Sequence, residues 1–140
     1  MRAIVQRVLK ASVTCDGEEI AAIGPGLLVL LGVHASDGEG QADRLAAKLL
    51  ALRIFEDDRG RMSLSVREAG GELICVSQFT LLADVRRGNR PSFSDAAPAA
   101  LAEPLYERVR SAVGARGGRF GAHMELALVN DGPATFVLDV

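Results

Sequence analysis

The stretch GPGLLVLLGV, residues 24–33, is the most apolar in the chain. Its run from Gly26 to Val33 is far too short to span a bilayer, which needs about 20 residues. It lacks the polar-apolar alternation of a strand with one wet face, so it reads as a buried central strand. Gly24-Pro25-Gly26 punctuates its start. Upstream, residues 2–9 read as a strand in which Ala3, Val5 and Val8 mix with Arg2, Gln6 and Arg7. Residues 11–15 and 19–23 flank Cys15-Asp16-Gly17-Glu18, and Asp-Gly between apolar runs signals a hairpin.

Downstream the period changes. Ala42, Leu45, Ala46, Leu49 and Leu52 recur at helical spacing, with Asp43, Arg44 and Lys48 on the other face. Asp37 or Ser36 is placed to cap this helix. EDDRGRM, 56–62, and AGG, 69–71, read as turns, and ELICVSQF, 72–79, as the next strand. A second helix is expected over about 98–113, with Leu101, Leu105, Val109 and Val113 on one face and Gly114, Gly117 and Gly118 ending it. RFGAHMELALVN, 119–130, reads as a strand, Asp131-Gly132-Pro133 as a turn, and 134–140 as the last strand. Hairpin-linked strands with two helices imply an α+β fold, a mainly antiparallel barrel-like sheet with two helices.

The 140 residues fit one domain, 1–140. The chain is 49% hydrophobic, 24% charged and carries a formal net charge of −2, which argues against non-specific nucleic-acid coating but leaves room for a local basic patch. Two cysteines, Cys15 and Cys75, and an N-terminus without a signal-peptide core point to reduced thiols and the cytoplasm. No GxSxG, Walker or Rossmann pattern is present. His34 and His123 stand alone, so neither a zinc site nor another metal is indicated.

SQFTLLADVRRGNRPSF, 77–93, breaks the logic of a simple apolar strand. Alternation places Cys75, Ser77 and Phe79 on one face and Val76, Gln78 and Thr80 on the other. Either the strand frays into solvent, or it breaks near Gln78 and exposes backbone N–H donors able to hold an oxyanion. Arg86, Arg87 and Arg90 follow in a Gly/Asn/Pro loop suited to an anion. On local grounds NDGP, 130–133, is a hairpin turn.

These segments together resemble the D-aminoacyl-tRNA deacylase family, also called D-tyrosyl-tRNA deacylase. The resemblance runs through MRAIVQRVLKASV, LRIFEDDRGRMSLSV, VSQFTLLADVRRGNRPSF and FGAHMELALVNDGPATFVLDV. Its two signatures are Ser77-Gln78-Phe79-Thr80 and the Gly132-Pro133 motif. Ala134 replaces a frequent valine and Ser63 a frequent asparagine, both outside the two signatures.

The resemblance implies a homodimer of barrel-like subunits, in which a cis Gly132-Pro133 of one chain meets Ser77 to Thr80 of the other. It implies hydrolysis of the ester between tRNA and a D-amino acid or glycine, with L-aminoacyl-tRNA rejected, as translation quality control. No cofactor, membrane or DNA is implied. Thr80 is a candidate nucleophile, but no base is placed beside it. Backbone N–H groups of Phe79 and Thr80 are the preferred oxyanion donors, with the ribose 2′-hydroxyl helping to activate water. Met124 and Phe79 are candidate pocket-lining residues, and Arg7 is a candidate brace for the Gly-Pro loop, its alternative being a plain exposed strand residue. Arg86, Arg87 and Arg90 are candidate contacts for tRNA phosphates.

Overall fold

A computed structural model describes all 140 residues. Strand β1 (Arg2–Cys15) turns through Asp16 and Gly17, both at positive φ, into β2 (Glu18–Ile23). After Gly24-Pro25, β3 (Gly26–Gly32) returns along the first half of the same edge of β1, while β2 holds the second half. This is why β1 runs unbroken through Lys10, where two strands are expected from the sequence. Helix α1 (Glu39–Ala51) and the small hairpin β4 (Phe55–Glu56) and β5 (Met62–Leu64) lead to β6 (Glu72–Ser77). A 3-10 turn (Phe79–Leu82), helix α2 (Ala99–Val113), β7 (Arg116–Gly117) and the long β8 (Glu125–Asp139) complete the chain.

The three pairings made by β1, with β2, β3 and β8, are antiparallel, as expected for this α+β sheet. Two pairings are parallel, β3 with β6 and β6 with β7. Each follows from a helix carrying the chain back across the sheet, which a parallel pair requires. At the first of these contacts a Cβ on Gly26 would sit 1.9 Å from the Glu72 carbonyl oxygen, so only glycine fits. The sheet curls into a nearly closed barrel. Arg116 ties its ends, donating to the Ala22 carbonyl and to the Glu72 carboxylate at 2.7 Å each, while the Gly24 N–H donates to the same carboxylate at 3.0 Å.

The central strand is buried on both faces, as its composition demands. Leu27, Val29 and Leu31 pack with Leu45, Leu49, Leu105 and Val109 of the helices. Leu28 turns the other way, into a second layer with Val8, Val13, Ile74 and Val76. Each such buried aliphatic stabilises the fold by roughly 1.5–3 kcal/mol. Tyr106 of α2 donates to the Cys75 carbonyl at 2.8 Å, and Arg108 joins the helices through Asp43 and Glu39. No helix is long and apolar enough to cross a membrane.

Three local expectations are corrected. Helix α1 is capped by Gly38, whose N–H donates to the Gln41 side chain at 3.1 Å. Asp37 is drawn instead to the Met1 α-amino group and the His34 N–H, and Ser36 to the His34 ring. Residues 119–124 precede β8 rather than belonging to it. Asp131-Gly132-Pro133 is not a hairpin turn: β8 continues through it, and both halves pair with β1. Gln6 faces Thr135 and Val8 faces Asn130, so four residues of β8 stand opposite Arg7 and bulge outward.

Candidate active site

The polar end of β6 is a break, not a frayed strand. Ser77 is its last residue, Gln78 leaves extended geometry at φ −143°, ψ 81°, and the 3-10 turn begins at Phe79. The first N–H groups of such a turn have no partner within it, and Phe79 and Thr80 supply them here. The Gln78 amide donates to the Thr80 hydroxyl, which is exposed. Thr80 therefore has an amide beside it and no base.

This break opens on a cleft of about 440 Å³. Ser77, Gln78 and Phe79 form one wall, Ala99 and Ala102 at the start of α2 another, and Phe120 to Met124 a third. The third wall is held by sulfur: the Arg119 N–H donates to Met124 Sδ at 3.3 Å. Met124 lies so close over Gly118 that a Cβ there would sit 2.4 Å from the sulfur. Phe79, 55% exposed, meets Phe93 edge-on with ring centres 4.9 Å apart.

Beyond Phe93 lies a polar hollow of about 510 Å³ lined by Asp84, Arg86, Arg87, Arg90, Ser92 and Ser94. Backbone bonds between Asp84 and Ser92 close its base. The arginines are not equivalent. Arg86 is clasped by Asp84 at 2.7–2.9 Å, and its guanidinium draws the Asp84 carboxyl down to about 2. Arg87 and Arg90 form no ion pair.

Arg7 is not an exposed strand residue. It is 5% exposed; Nη1 donates to the Ile54 carbonyl at 2.6 Å, Nε to the Asp131 carbonyl at 3.3 Å, and the Asp131 carboxylate lies 3.1 Å away. The guanidinium thus sits behind the bulge. Asn130 spans the bulge from the other side, accepting from the Ala134 N–H at 2.7 Å and donating to the Thr135 hydroxyl at 2.9 Å. Between these braces Gly132 and Pro133 are exposed, and their peptide bond is cis.

The two signatures do not meet within the chain. Arg7, behind the bulge, pairs with Leu27, whereas Ser77 pairs with Leu31. Four residues of strand, about 13 Å, separate these levels, and Gly132, Pro133 and Arg7 are all absent from the cleft lining.

Against known proteins, the D-Tyr-tRNA(Tyr) deacylase family model matches residues 4–139. The chain belongs to the D-tyrosyl-tRNA deacylase family. Membership makes it an enzyme, a hydrolase of ester bonds. D-aminoacyl-tRNA deacylases of Roseiflexus castenholzii and Ruegeria pomeroyi are 58% and 54% identical to it, over 99% and 100% of this chain and 92% and 100% of theirs. A solved structure described as a c-Myc DNA unwinding element binding protein superposes with a TM-score of 0.95 at 42% identity, covering 100% of this chain and 99% of that one. A probable eukaryotic D-amino acid tRNA deacylase shares the fold at a TM-score of 0.86 and 18% identity, covering 99% and 98%.

Within this deacylase fold, sequence reasoning missed Asn130, which reads as part of a turn when it is in fact a clamp. It also missed the small residues Ala99, Ala102 and Ala122, whose only signal is that they leave room. His123, to which the sequence assigns no role, stands in the cleft wall.

Proposed function

We propose that this chain hydrolyses the ester of D-aminoacyl-tRNA and of mischarged glycyl-tRNA in the cytoplasm as a homodimer, and spares L-aminoacyl-tRNA. Family membership supports the reaction. The observation that carries the site is the break at Gln78, where a new turn begins on the wall of a cleft of about 440 Å³. The terminal adenosine enters that cleft, and the ester carbonyl takes the N–H groups of Phe79 and Thr80. One such donor is worth about 2.7–4 kcal/mol in well-studied hydrolases. An aminoacyl ester is already activated, so orienting it and stabilising the oxyanion supply much of the chemistry. The ribose 2′-hydroxyl helps activate water, and Thr80 acts by its backbone rather than as nucleophile.

Chirality is read by exclusion. The braced backbone of Gly132 and Pro133 presents carbonyls that accept the α-amino group on one side of Cα, and an L side chain would run into that backbone. Glycine has no side chain to exclude. Because the bulge and the cleft stand apart in one chain, the bulge serves the cleft of a second copy, and a two-fold pairing makes two equal sites. Arg87 and Arg90, with Arg86 held by Asp84, take phosphates of the acceptor stem.

The test is deacylation of matched D- and L-tyrosyl-tRNA. Cleavage confined to the D-form is expected; equal rates would end the exclusion account. The same assay separates an enzyme from a nucleic-acid-binding protein, since a binder protects the ester.

A further inference from the structure

The cleft has one ionisable side chain in its lining, His123. From β6 and the 3-10 turn it receives Ser77, Gln78 and Phe79; from the α2 end Ala97, Ala99 and Ala102; from β8 Leu126. No carboxylate and no other cation faces in from any of these elements. On the segment of His123 itself, Arg119 turns away to Asp16 at 3.3 Å, and Glu125 is an exposed β8 residue paired with Thr14. The His123 ring is exposed and makes no hydrogen bond, unlike the ring of His34. A free imidazole at an otherwise uncharged site has nothing in the fold to hold.

We propose that His123 is a substrate contact whose ring N–H binds the phosphodiester leading into the terminal nucleoside. The inference rests on the proposed function, in which the terminal adenosine fills the cleft. With base and ribose inside, the phosphate leaves at the rim, where His123 is exposed. The α2 N-terminus also opens on the cleft with no side-chain cap, and its positive end favours the same anion.

Binding of adenosine and of the dinucleotide cytidylyl-adenosine, whose phosphodiester carries one charge, tests the proposal by calorimetry. The dinucleotide is expected to gain about two- to five-fold over adenosine, the range of a single exposed charged contact. His123→Ala should abolish the gain, and His123→Lys should keep it. Adenosine and dinucleotide binding alike would overturn the phosphate contact while leaving the cleft as the nucleoside site. Failure of adenosine to bind at all would overturn the nucleoside assignment of the cleft and the role of His123 with it.

Discussion

The end of β6 and the bulge of β8 are built on opposite principles. At the β6 end the backbone is left unpaired: the strand stops, Phe79 and Thr80 open a new turn, and the side chains face solvent. At the bulge the backbone is also out of register, but a buried guanidinium takes up a carbonyl from behind and an asparagine accepts an N–H from the other side. One region receives and the other projects. On the proposed function, the projecting bulge serves the cleft of a second copy.

Replacing the brace should erase this contrast most severely. Arg7→Ala leaves the Ile54 and Asp131 carbonyls without their charged donor, and we expect a loss of about 1.5–3 kcal/mol in urea unfolding. Displacing the bulge by an ångström should lower deacylation by about a hundredfold. Loss of stability with full D/L discrimination would show that the bulge needs no brace.

A second variant probes the receiving side. Arg87→Ala with Arg90→Ala should reduce the slope of log affinity for tRNA against log salt by about 0.7–0.9 for each phosphate no longer neutralised. Arg86→Ala should change it less, because Asp84 already neutralises that charge. An unchanged slope in the double variant would place the stem elsewhere.

Thr80→Ala should cost less than the roughly 10²-fold expected when an essential acid or base is deleted, since the N–H donors survive. Near-complete inactivity with tRNA binding intact would favour the hydroxyl.

The smallest effect concerns pH. Asp84 is held low by Arg86, so its contribution is present above the ordinary carboxylate range and is lost as pH falls through about 2. Wild type should exceed Asp84→Asn in urea midpoint at pH 6, and the gap should close between about pH 4 and 2.

The central strand and both helices were legible because each rests on local composition: an unbroken apolar run and a period of 3.6. The polar end of β6 was legible only as unusual, since hydroxyls and an amide where apolar residues should continue fit a frayed end as well as a break. The continuity of β8 was not. Asn130-Asp131-Gly132-Pro133 has the residues of a turn, and only the long β1 alongside, which pairs with both flanks, makes it a bulge. The parallel pairs were hidden because strand direction depends on where the helices carry the chain. On local pattern alone Arg7 could be a plain exposed strand residue, and only the family resemblance makes it a candidate brace, because its burial depends on Ile54 and Asp131, 47 and 124 residues away in the chain.

If one chain's bulge completes another chain's cleft, two inactive chains should restore each other. A Gly132-Pro133 deletion is mixed with a cleft-blocking Ser77→Trp chain, each inactive alone, and deacylation of D-tyrosyl-tRNA is measured. Statistical pairing makes half the dimers mixed, each with one intact site of two, so activity should recover to about one quarter of wild type. No recovery, in mixed dimers shown to form, would contradict cross-chain completion and return the bulge to its own subunit.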